Sequence, residues 1–202
     1  MMRIARKPLV KFAGIALLGM LAPIAVAASA YASDLSDATH LRERCEKEIR
    51  ALEVPAKNFG DAADLASFME AEKQIKLGKV KFIQTKYREA VAIYNEYLKV
   101  QAALYRSLAK KYVERTDRLV DDVGVDLVDH VDDKKVEKYM QMASQNLKDA
   151  KTALDSPHPK GAIDLCRTAK NYALSAYKLV GKTAPAQYDK DVADNGNALY
   201  GK

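Results

Sequence analysis

From about Ser36 onward apolar residues recur every three or four positions, and no window alternates with period two for more than a few residues, so the chain reads as helical throughout. Ser36 or Asp37 is placed to cap a first helix with the stripe Leu41, Cys45, Ile49 and Leu52, and Pro55 is expected to stop it. Asn58-Phe59-Gly60-Asp61 reads as a turn, and a second helix is predicted over 62–84. A tight break at Thr85-Lys86 precedes a long third helix from Tyr87. Its stripe is Tyr87, Val91, Tyr94, Leu98, Gln101, Tyr105, Leu108, Tyr112, Arg115 and Leu119, in alternating steps of four and three. Such a helix is roughly 50 Å long at about 1.5 Å per residue. Gln101 and Arg115 interrupt the stripe, so polar contacts or an exposed face are expected there.

Gly124 marks either a kink or a junction. Around it Val120, Val123, Leu127 and Val131 form one helical stripe, and Asp122, Asp126, Asp129 and Asp133 another. A fourth helix carries Val136, Met140, Ala143, Leu147, Ala150 and Leu154, and the loop Asp155–Gly161 follows it. A fifth, over 162–180, presents Ile163, Cys166, Ala169, Ala173, Ala176 and Val180. These small residues let a neighbouring helix come close, so this helix should be central. Gly181 is placed to end it in a left-handed cap. The tail, 182–202, contains Pro185 and Asn195-Gly196-Asn197 and is expected to be irregular or to wrap. The predicted class is all-α: an antiparallel helical bundle or helical-hairpin stack with one long helix, a single helical domain over 33–181.

The first 32 residues differ in kind. Arg3, Arg6, Lys7 and Lys11 precede the uncharged stretch Phe12–Ala32, which Pro23 interrupts and which ends in Ala30-Tyr31-Ala32, the pattern of a signal-peptidase site. A cleaved leader over 1–32 is the favoured reading, and an uncleaved signal anchor is the rival. Cleavage would leave no segment to insert in a membrane and a chain in the periplasm, or beyond it at the cell surface or secreted. The leader also explains the net charge of +6: without its four cations, 29 Lys and Arg face 27 Asp and Glu, leaving +2. So weak a charge gathers no phosphate backbone, and no nucleic-acid partner is expected. In an oxidising space Cys45 and Cys166 would either pair, with a contribution of about 4–5 kcal/mol from so long a loop, or serve as two small buried hydrophobes.

Catalytic spacings are not found. His40, His130 and His158 fall in separate segments without metal-ligand spacing, and no glycine loop is arranged to cradle phosphate, so neither enzyme activity nor a cofactor is expected. The acidic run Asp121–Asp133 reads as a solvated face and a helix cap, with a hard-cation site as the alternative. Eleven tyrosines stand beside four phenylalanines and no tryptophan. Most lie on or beside the stripes and read as core, but Tyr97, Tyr105 and Tyr177 fall off-stripe or beside polar interruptions and are candidates for a contact surface. Arg106, Lys110 and Arg115 on the third helix, with Asp122, Asp126 and Asp129 after it, give one basic and one acidic region. Such a pairing suits self-association or a charged partner.

Two resemblances add to this. Gln74–Leu98 resembles one tetratricopeptide-like helical hairpin through Leu77-Gly78, Tyr87, Ala90, Tyr94 and Leu98, with Gly78 and Ala90 small where paired helices approach. The second half carries Tyr105-Arg106, Lys111-Tyr112-Val113, Asp117–Asp121, Gln145–Lys151 and Ala162–Ala173. It looks like exported helical proteins of spirochaetes, of which the flagellar coiling (filament-sheath) proteins are best known. That resemblance implies a non-enzymatic component of a periplasmic flagellar filament sheath or its assembly, with envelope or flagellar-filament proteins as partners. The alternative is a periplasmic helical-bundle carrier of a lipid or small apolar ligand held between the helices.

Overall fold

The computed structural model describes the backbone of residues 21–157 and 159–200 and the side chains of 33–157 and 159–194. The predicted leader lies outside that description except for the backbone of 21–32, and His158 lies outside it as well. Among the described residues there are six α-helices and no strand: α1 (Leu21–Phe59), α2 (Ala62–Ile83), α3 (Tyr87–Asp126), α4 (Lys134–Leu154), α5 (Lys160–Leu179) and α6 (Asp189–Tyr200). The fold is an all-α helical bundle, with α1, α2, α4 and α5 all packed against α3. Within the described residues no helix is long and apolar enough to cross a membrane.

Several boundaries follow the local chemistry. Asp61 caps α2 by accepting from the Asp64 backbone N–H at 3.0 Å, and Asp64 accepts from the Asp61 N–H at 3.2 Å, a reciprocal capping box. Thr85 takes the break between α2 and α3 at φ 58°, a left-handed turn paid by a residue with a branched side chain. Asp133 opens α4 by accepting from the N–H groups of Lys135 and Val136. Gly181 closes α5 at φ 72°, where Lys182 N–H reaches back to the Tyr177 carbonyl at 3.0 Å.

Two expectations, the bounds of the first helix and the single acidic face, are corrected. The first helix neither starts at a Ser36 or Asp37 cap nor stops at Pro55; α1 is continuous from Leu21 to Phe59. Pro55 removes a single N–H four residues before the helix ends, and it is buried, so packing holds the last turn together. Gly124 lies in the last turn of α3, two residues before the helix ends at Asp126. Leu127 and a short 3-10 turn, Val128–His130, then turn the chain, so Asp122 and Asp126 are not on one helical face with Asp129 and Asp133. In the tail, a 3-10 turn at Ala186–Tyr188 and α6 lie back over α5 and α1.

The core forms two clusters along α3. Its first half buries Ala90, Tyr94 and Tyr97 with Cys45, Ala71 and Ile75 of α1 and α2. Its second half buries Leu108, Tyr112, Leu119 and Val123 with residues of α4 and α5, including the small stripe Ala169, Ala173 and Ala176. Gly78 sits where α2 crosses α3, and a Cβ there would fall 2.4 Å from Cε1 of Tyr94. Gly78→Ala therefore tests the crossing. Helix propensity alone favours alanine by about 1 kcal/mol, whereas overpacking against the ring costs about 1–3 kcal/mol. The expected outcome is a net loss of stability in urea unfolding; a gain would show that α2 and α3 do not meet as described.

Candidate functional site

The polar interruptions of the α3 stripe are where the fold ties distant segments together. Gln101 is buried and donates to Glu48 of α1 at 3.2 Å, and Tyr105 donates its hydroxyl to the same Oε2 at 2.8 Å. Lys160, at the start of α5, completes the group at 3.2 Å, so one carboxylate joins α1, α3 and α5. Burial pushes the Glu48 carboxyl upward, but the hydrogen bonds from Tyr105 and Lys160 outweigh it, and the net shift is down.

Arg115 serves a second group. It donates through Nε to Asp191 at 2.6 Å and through Nη2 to the Gln187 carbonyl at 2.6 Å. Lys170 of α5, fully buried, donates to the other Asp191 oxygen at 2.8 Å. Arg167 grips Asp194 with two bonds at 2.9 and 3.2 Å, and the Tyr112 hydroxyl donates to Asp194 at 3.1 Å. The Lys170 ammonium lies 4.7 Å from the ring centre of Phe59 and 4.5 Å from that of Tyr112, so aromatic faces supply part of what water would. Desolvation by burial nevertheless wins over the two carboxylates and lowers the Lys170 ammonium below its ordinary value. Three cations and two carboxylates from three helices thus meet, with Lys170, Asp191 and Asp194 buried and the two arginines at the edge.

Each sequence-derived candidate now has a place. Tyr97, Tyr105 and Tyr177 are 0%, 6% and 2% exposed, so they are core and not a contact surface. α3 has helices on several sides, and positions off the main stripe are buried too. Tyr177 donates to Asp126, while Asp122 accepts from Gln187 and Tyr188, so Asp122 and Asp126 hold the C-terminal segment. Asp129, Arg106 and Lys110 are exposed. Cys45 and Cys166 are free thiols buried in separate clusters, which fits the reading of two small hydrophobes and not a disulfide between them. Burial pushes each thiol up to about 11.

An open surface feature was missed by periodicity. At the corner between α3 and α4, Leu127, Val128, Val131, Val136 and Met140 line a groove of about 660 Å³, with Glu137 and Gln141 on its rim. Val125, Val128 and Val131 are 73%, 64% and 65% exposed, with Asp129, Asp132 and Asp133 exposed among them. The signal was present as the alternation of Val and Asp over 120–133, but a stripe of valines is read as core unless the chain is known to turn there. Comparison with protein-family models, curated proteins and solved structures returned no match.

Two outcomes follow. A lowered Glu48 contributes stability that is full above its ordinary value of 4.5 and is lost as pH falls through its folded value. Glu48→Gln is expected to cost about 1–3 kcal/mol at pH 7 and to flatten the decline of Tm between pH 6 and about 3; an unchanged slope would remove Glu48 from that role. Ellman's reagent is expected to find two thiols per unreduced chain after unfolding, and neither at a comparable rate in the native protein.

Proposed function

We propose that this chain is an exported, non-catalytic helical protein that acts through protein–protein contact, as a component of a periplasmic flagellar filament sheath or of its assembly. The observation that carries the contact reading is the valine groove at the α3–α4 corner. Large apolar side chains exposed to this extent, side by side and rimmed by polar groups, mark surfaces that another molecule covers. Glu137 and Lys148 both line it among polar Gln141, Ser144 and Gln145, which favours a partner segment with an apolar face and polar flanks. Export rests on the basic, then apolar, then small-residue order of the first 32 residues, and the filament assignment on the resemblance carried by Tyr105–Asp121 and Gln145–Ala173.

A second reading rests on the groove's size. About 660 Å³ lined by Leu127, Val136 and Met140 is also the scale of a small-molecule site, which keeps a carrier of an apolar ligand in view.

The double substitution Val128→Glu, Val131→Glu separates these from a merely solvated corner. Both positions are exposed, so the far-ultraviolet circular dichroism is expected to hold and stability to move by no more than about 0.5 kcal/mol. Capture of filament or envelope proteins from envelope extracts is expected to fall at least tenfold. Equal recovery by both chains would end the contact reading at this groove. Added mass in native mass spectrometry of the purified wild type, lost in the variant, would favour the carrier.

A further inference from the structure

The C-terminal segment is bound to the rest of the fold as a ligand is bound. Asp191 and Asp194, three residues apart on α6, project from one face of that helix into a cradle formed by Arg115 of α3 and Arg167 and Lys170 of α5. Both carboxylates and the ammonium are at most 1% exposed. The recognition is specific in the sense that a planar guanidinium meets Asp194 through two nitrogens, while Lys170 and Arg115 divide the two oxygens of Asp191. What fits the cradle is a helix with two carboxylates one turn apart.

A short irregular connection joins the arm to α5. Gly181 holds φ 72°, residues 182–185 have no regular structure, and 181–183 are exposed. α6 follows that connection, so it can enter the cradle of another copy while α5 keeps its place. When it leaves, Lys170 and Arg115 lose Asp191 and Arg167 loses Asp194, while Arg167 keeps Asp164 of its own helix. The occupant shown to satisfy them is this same sequence, and a second copy of the chain presents it unchanged.

We propose that the cradle of Arg115, Arg167 and Lys170 is an interaction site for the α6 arm of a second copy, so that two chains exchange arms in a two-fold dimer. Every contact made within one chain is remade between two, so exchange costs little except at the connection. Tethering gives the chain's own arm a high effective concentration, which keeps dilute protein monomeric and makes the exchanged dimer a feature of concentrated protein. This inference stands on the arm alone and is independent of the valine groove.

The test uses full-length chains and a fluorescent synthetic peptide of residues 183–202. Full-length Asp191→Asn, Asp194→Asn keeps the cradle but disables its own arm. It is expected to bind the peptide at least tenfold more tightly than the wild type, whose arm competes. A peptide carrying the same two substitutions is expected to bind neither chain. Should the variant be partly unfolded, the wild-type peptide is expected to raise its Tm and the substituted peptide to leave it unchanged. Concentrated wild type is expected to give a dimer in analytical ultracentrifugation, and the doubly substituted chain none. Equal binding of the peptide by both chains, equal binding of both peptides, or a dimer that survives the substitutions would overturn the proposal.

Discussion

Burial of α3 on more than one side is the constraint from which the rest of the molecule follows. A helix of forty residues is about 60 Å long, and a helix that is apolar beyond a single stripe must be covered from several directions. α1 and α2 cover its first half and reach its middle through Leu52, Ala56 and Phe68, where α4 and α5 take over, so one rod carries two core clusters. Gly78 against Tyr94 and the alanines of α5 are small because the covering helices must come close to reach the seam.

The same crowding explains the preference for tyrosine over phenylalanine. Tyr105, Tyr112, Tyr177 and Tyr188 bury their rings and place their hydroxyls on Glu48, Asp194, Asp126 and Asp122. Each ring therefore fills core and its oxygen satisfies a carboxylate from another segment. Tyr94 and Tyr97 are different, for their buried hydroxyls have no hydrogen-bond partner among the described residues. Such a pair costs stability that surrounding packing must offset.

Charge buried at Lys170 and Asp191 is not an efficient source of stability, since apolar residues of similar size often do as well. Its effect is to select. Removing either partner leaves a buried charge with one counter-ion fewer, so the register that brings Asp191 to Lys170 and Asp194 to Arg167 is the one that closes the C-terminal segment over α5. Asp122 and Asp126 act in the same direction on Gln187, Tyr188 and Lys182.

Local pattern carried much of the fold and little of the site. Three- and four-residue spacing located α2, α4, α5 and the start of α3 to within about two residues, because each helix turns a continuous apolar face to its neighbours. Gln101 and Arg115 stood out as polar residues in an apolar stripe, and both reach carboxylates on other helices. Pro55 misled because a proline weakens a helix only by local terms, which packing around α1 exceeds. Tyr97, Tyr105 and Tyr177 misled for the opposite reason: periodicity describes one covered face, and here neighbours cover several. The chain by itself determined that helices form, about where four of them run, and which small residues permit close approach, since those depend on neighbours within a turn or two. Tertiary structure alone decided that Asp191 meets Lys170 across 21 positions and Arg115 across 76, and that Val125, Val128 and Val131 stay open to solvent. Partners so far apart in sequence leave no periodic trace, and a valine reads the same whether or not a helix arrives to cover it.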